Sequence, residues 1–127
     1  MGVKIYMCDR IERLPFYSAE LDNNDEVVPK SGKSWLSVSN ASGQFSEESS
    51  DTNAGTLVTQ KLDINCDLSV SESNEMAQAP HVFRLRFSDD TVHVWGTPSL
   101  PATHKSIKGM VLQKQVSFER QTTQIEF

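Results

Sequence analysis

The residue types in this chain most suited to hold a metal or act on a substrate are His81, His93, His104, Cys8 and Cys66. Structural zinc sites use close pairs such as C-x-x-C or H-x-x-x-H, and no pair here has that spacing. The histidines are therefore read as solvated or internally satisfied, with no metal. Asp22, Asn24 and Glu26 resemble the opening of a calcium loop, D-x-N-x-E. Its sixth position is Val27 instead of Gly and its twelfth is Lys33 instead of Glu, so it fails where the geometry is strictest and reads as a plain turn. Asp89 and Asp90 are adjacent carboxylates, but neighbours at a hairpin tip point apart, and turn chemistry accounts for them.

Nothing local supports a nucleophile. There is no G-x-S-x-G and no glycine-rich phosphate loop. The sequence thus nominates no catalytic residue, no cofactor and no metal ligand. What it nominates is a surface. A two-residue turn at Asp89–Asp90 pairs Phe87 with Val92 and Leu85 with Val94, placing Phe83, Leu85, Phe87, Val92 and Val94 on one face. Arg84, Arg86, His93 and Trp95 then share the other face as a basic and aromatic strip. Trp and Arg are enriched at binding hot spots, so these four residues, with Trp35 as a second outward tryptophan, form the predicted interface.

These residues need a frame, and the frame is read from alternation. In Thr56–Val70, TLVTQKLDINCDLSV, the even positions Val58, Leu62, Ile64, Cys66, Leu68 and Val70 are apolar, with Gln60 the exception. That pattern predicts a long strand with one buried face, exposing Lys61, Asp63 and Asn65. Leu62, Ile64, Leu68, Phe83, Leu85, Phe87, Val94, Leu112 and Phe118 are the expected core. A short opening strand is expected at Val3–Met7, and Asp9–Leu14 is too short for a helix before Pro15. Phe16–Leu21 reads as a strand answered by Val27 and Val28. In Ser34–Asn40, Leu36 and Val38 share one face and Trp35 lies on the other. Residues 18–33 and 41–55 read as long loops, the second polar, acidic and anchored only by Phe45. Ser71–Ala79 is expected to make one or two helical turns capped by Ser71 or Ser73. A loop follows at 96–106, and strand character resumes from Ile107 through Met110, Leu112, Val116 and Phe118, closing with Ile125 and Phe127.

The whole is one domain, 1–127, all-β and antiparallel: a β-sandwich or small barrel with one short helix. Net charge is -5 with scattered Lys and Arg, which argues against nonspecific grip on nucleic acid. No run approaches the roughly 20 apolar residues of a membrane span. The start has no apolar leader segment with a cleavage site, and no Ser or Thr at residue 6 for myristoylation. Two cysteines in a reducing cytoplasm are read as free thiols, with Cys66 a small core side chain.

The order GTLVTQKLDINCDL, short polar helix, VFRLRFSDDTVHVWGTPSLPA resembles small virion proteins of tailed bacteriophages and prophages. There a long strand after a G-x-L-x-x-Q start leads to a hairpin ending in a Gly-x-Pro turn. The corresponding residues are Gly55, Leu57 and Gln60, then Gly96 and Pro98, and the likeness covers roughly 55–102. It implies a tail-tube-like β subunit of a tail or neck ring, found in the virion after assembly in the host cytoplasm. Its partners would be copies of itself and other virion proteins, with no specific nucleic acid and no membrane. The other reading is a small cytoplasmic protein-binding module, and a small hydrolase stands third.

Overall fold

The computed structural model describes residues 2–52, 55–109 and 113–124. The elements in order are β1 (Gly2–Pro15), a 3-10 turn (Phe16–Ser18), β2 (Ala19–Leu21), β3 (Val27–Pro29), β4 (Leu36–Ser37) and β5 (Ser39–Thr52). Then come β6 (Gly55–Asp67), α1 (Val70–Gln78), β7 (His81–Phe87), β8 (Val92–Trp95), β9 (Thr103–Gly109) and β10 (Gln113–Gln124). One antiparallel sheet runs β8-β7-β1-β5-β6-β10-β9, with β4 attached to β1, and β2 pairs with β3 separately. The all-β expectation with one short helix holds. The sheet is open, without barrel closure.

It is also strongly folded over. β7 and β10 lie four steps apart along the sheet, about 19 Å if it were flat. Yet the rings of Phe83 and Phe118 meet edge to face at 4.8 Å. The two facing layers are therefore halves of one sheet. At one end, paired backbone bonds between His81 and Ala102 (3.0 and 2.8 Å) pinch the halves together.

β6 follows its alternation. Val58, Leu62, Ile64, Cys66 and Leu68 are buried, while Lys61, Asp63 and Asn65 are exposed. Phe83, Leu85, Val116 and Phe118 complete the core as expected. Met110, Leu112, Ile125 and Phe127 lie outside the described residues.

Several expectations are corrected. The opening strand continues through DRIERL to Pro15, because Ile11 faces the main core and Leu14 packs with Ala19 and Val82 in a second cluster. A bulge between Cys8 and Arg10 shifts the register on the way. Residues 18–33 contain the small β2–β3 ladder, pairing Leu21 with Val27 and Glu20 with Val28. The turn between them is held by the Asp22 carboxylate, which accepts from the Asn24 and Glu26 amides at 2.8 and 3.0 Å. Strand β9 begins at Thr103, inside the stretch read as a loop.

The largest correction is 41–55, which is no loop: through Thr52 it is strand β5, and Gly55 already starts β6. β5 lies between β1 and β6 and is laddered on both sides. Backbone pairing does not depend on side-chain type, so a Ser- and Glu-rich segment can occupy a central strand once its neighbours are in place. Its position 43 is tight for any side chain. A Cβ there would sit 2.9 Å from Ile11 Cδ1 and 3.1 Å from the Asp63 carbonyl oxygen.

The helix starts one residue earlier than expected. Ser69, not Ser71 or Ser73, is the cap: its hydroxyl accepts from the Glu72 amide, and the Glu72 carboxylate accepts from the Ser69 amide.

Candidate interaction surface

The five predicted interface residues do not share one face. The β7–β8 turn has three residues, Ser88–Asp90, with Asp90 in the left-handed region at φ 67°. The Phe87 amide donates to the Thr91 carbonyl at 2.9 Å. One extra turn residue slips the ladder by one, pairing Arg86 with Val92, Leu85 with His93, Arg84 with Val94 and Phe83 with Trp95. A one-residue slip turns every side chain of β8 over. Val92 and Val94 therefore lie outside beside the arginines, and Val94, expected in the core, is exposed.

His93 and Trp95 turn the other way. Trp95 is buried, set edge to face on Phe45 (5.4 Å), and its indole N–H donates to Gln60 Oε1 at 2.9 Å. Gln60, the one polar residue on the buried face of β6, is there to receive it. Phe87 is partly buried against the core, and His93 stacks on it at 4.8 Å.

The arginines are not a free cationic strip either. Arg84 grips Glu12 with two bonds (2.9 and 2.7 Å), and Trp35 lies 5.0 Å from its guanidinium. Arg86 grips Asp9 at 2.9 and 3.3 Å. That pairing holds the Asp9 carboxyl below its ordinary value and raises Arg86. Both arginines thus close on carboxylates of β1, leaving little positive charge for a partner.

Buried Arg13 and His81 meet the partly exposed Glu75 in one polar group. Arg13 Nη1 donates to the Glu75 carboxylate and lies 3.1 Å from His81 Nε2. A guanidinium only donates, so Nε2 accepts, and the ring proton sits on Nδ1, donating to the Ala79 carbonyl at 2.9 Å. Burial pushes the His81 pKa down to about 4. With its lone pair occupied by Arg13, the imidazole is no general base. The trio fastens α1 to β1 and β7.

The remaining groups offer little chemistry. A cleft of about 450 Å³ is lined by Asn40, Asn65, Cys66, Asp67, Lys114 and Gln115 among others. Burial, then the charges of Asp67 and Glu72, push the Cys66 thiol up to about 11, so it stays protonated. Among the described residues, no three His, Cys, Asp or Glu side chains cluster to hold a metal, and no helix is long and apolar enough to cross a membrane.

Sequence reasoning missed the exposed apolar surface. On β1, Val3, Ile5 and Met7 are 59%, 58% and 53% exposed on one face. β5 pairs Gly2–Cys8 along one edge of this stretch, while β7 pairs only from Cys8 onward along the other. Among the described residues, no strand covers the second edge of Gly2–Tyr6. Just past the other end of β1, Phe16, Tyr17, Leu21 and Leu36 are exposed, with Tyr17 and Leu36 lining a small hollow of about 280 Å³. The signal for the first patch was present: Val3, Ile5 and Met7 make one face of VKIYM wholly apolar while Tyr6 adds an aromatic to the other. No family model, curated protein or solved structure matches this chain.

Proposed function

We propose that this chain is a non-enzymatic structural protein that assembles, with copies of itself and with other virion proteins, into a ring or tube of a bacteriophage tail or neck. One observation carries the assembly part: two separate apolar patches flank strand β1. Val3 and Phe16 stand thirteen positions apart, roughly 40 Å of extended chain. A small domain with one apolar patch makes a pair, whereas two patches let each copy touch more than one neighbour and build further. The placement of that surface, along a sheet edge and beside a small hairpin, suits flat contacts between proteins more than a ligand cleft. The tail or neck part rests on the resemblance over 55–102.

The test is electron microscopy of the concentrated protein beside sedimentation. Rings or stacked rings are expected for the wild type, and Tyr17→Glu with Leu21→Glu should disperse them. A wild type that never exceeds a monomer, alone or mixed with the products of its neighbouring genes, would contradict the reading.

A further inference from the structure

We infer that the open edge of β1 is a self-pairing surface, on which a second copy of this chain lays its own Val3–Met7 antiparallel across a two-fold axis at Ile5. This goes beyond the virion reading and does not depend on it. The backbone N–H and C=O groups of Val3 and Ile5 that face this edge fit another extended strand. The other sheet edges are poorer candidates. β8 has four residues, and β9 has α1 lying against it and carries Lys105 and Lys108, the residue type that blunts edge pairing.

The side chains then select both the occupant and the register. Centred on Ile5, the pairing sets Ile5 against Ile5, and Val3 against Met7 of the second copy, so every pair on the outer face is apolar. On the opposite face, Lys4 meets Tyr6 of the second copy, an ammonium beside an aromatic ring. Centring on Lys4 instead sets two lysines in direct opposition, which is destabilising. Centring on Tyr6 carries the pairing into Cys8, which is already paired with Phe87. The Ile5-centred register keeps the lysines apart and stops at Met7, whose carbonyl keeps its bond from the Ser88 amide at 3.0 Å. Because it orders only about five residues a side, the contact is small and belongs to the weak class of interfaces.

The experiment combines sedimentation over a range of concentrations with cysteine cross-linking. Native Cys8 and Cys66 are buried and free, so an introduced thiol on this edge reports by itself. Ile5→Cys should oxidise to a covalent dimer. Val3→Cys and Met7→Cys should each link poorly alone but readily when mixed, since both Cα pairs fall within disulfide reach only in this register. Ile5→Lys, which opposes two ammoniums at the axis, should weaken association at least about tenfold. Circular dichroism checks that the variant remains folded. Three results would each overturn the inference: a strictly monomeric wild type, an oligomer in which position 5 does not link, or equal linking at positions 3, 4 and 5. An oligomer without the link at position 5 would leave the ring reading standing, so the two failures are distinguishable.

Discussion

The two halves of β1 are one strand with opposite duties. From Cys8 to Pro15 it is laddered to β7 on one side, with β4 on the other at Glu12 and Arg13, and it buries Ile11, Arg13 and Leu14. From Gly2 to Met7 it is laddered only to β5 and turns Val3, Ile5 and Met7 to solvent. The solvent-facing half has the higher hydrophobic content, four residues in six against three in eight. The difference is whether the fold itself uses it, and in the first half it does not. Apolar area that folding leaves uncovered is free to be covered by a partner.

Mutations that cut into one half only will sharpen this contrast. The largest effect is expected at Ile11→Ala, which opens a cavity at the centre of the core and should cost about 2–5 kcal/mol in urea unfolding. Glu75→Ala should follow closely, at about 3 kcal/mol, because it leaves the buried Arg13 guanidinium without its carboxylate. Comparable losses from Ile5→Ser would erase the distinction between the halves.

A pH titration probes the buried half alone. Burial holds the His81 pKa at about 4 in the fold against the ordinary 6.5 of a solvated imidazole, so the unfolded chain binds the proton first as pH falls. Stability from this group is full above about pH 6.5 and is lost toward pH 4, a decline of about 3 kcal/mol in all. Unfolding midpoints measured between those limits should slope accordingly in the wild type and flatten in His81→Gln. An equal slope in the variant would show that other groups carry the acid sensitivity.

Gly43→Ala should cost about 1–3 kcal/mol, since the added methyl drives against Ile11 Cδ1 and the Asp63 carbonyl. It tests whether β5 really packs this tightly over the buried half. The smallest effect is expected at Ile5→Ser, within about 0.5 kcal/mol for a monomer.

How far the sequence could be read follows from the same physics. β6 was legible because one face is wet and the other buried, so its side chains record the difference. β5, its hairpin partner, was illegible. Phe45 is its one large buried side chain, and its order comes from backbone ladders to β1 and β6 that leave no trace in residue type. The helix was legible in place, and its Ser69-x-x-Glu72 cap was readable but overlooked in favour of Ser71 and Ser73. The expected shared face of the strip came apart at the turn. Asp89-Asp90 signals a turn without saying whether it has two residues or three, and that one residue moved His93 and Trp95 to the other face. Partners already paired within the chain, such as Glu12 with Arg84, are long-range and had no local signature.

Amide hydrogen exchange at two protein concentrations tests most directly whether the open half of β1 serves association. Exchange at Val3 and Ile5, whose amides face the open edge, should slow as concentration rises, while Lys4 and Tyr6, turned toward β5, and Ile11 to Leu14 should not change. Identical rates at Val3 and Ile5 across the whole concentration range would contradict the account.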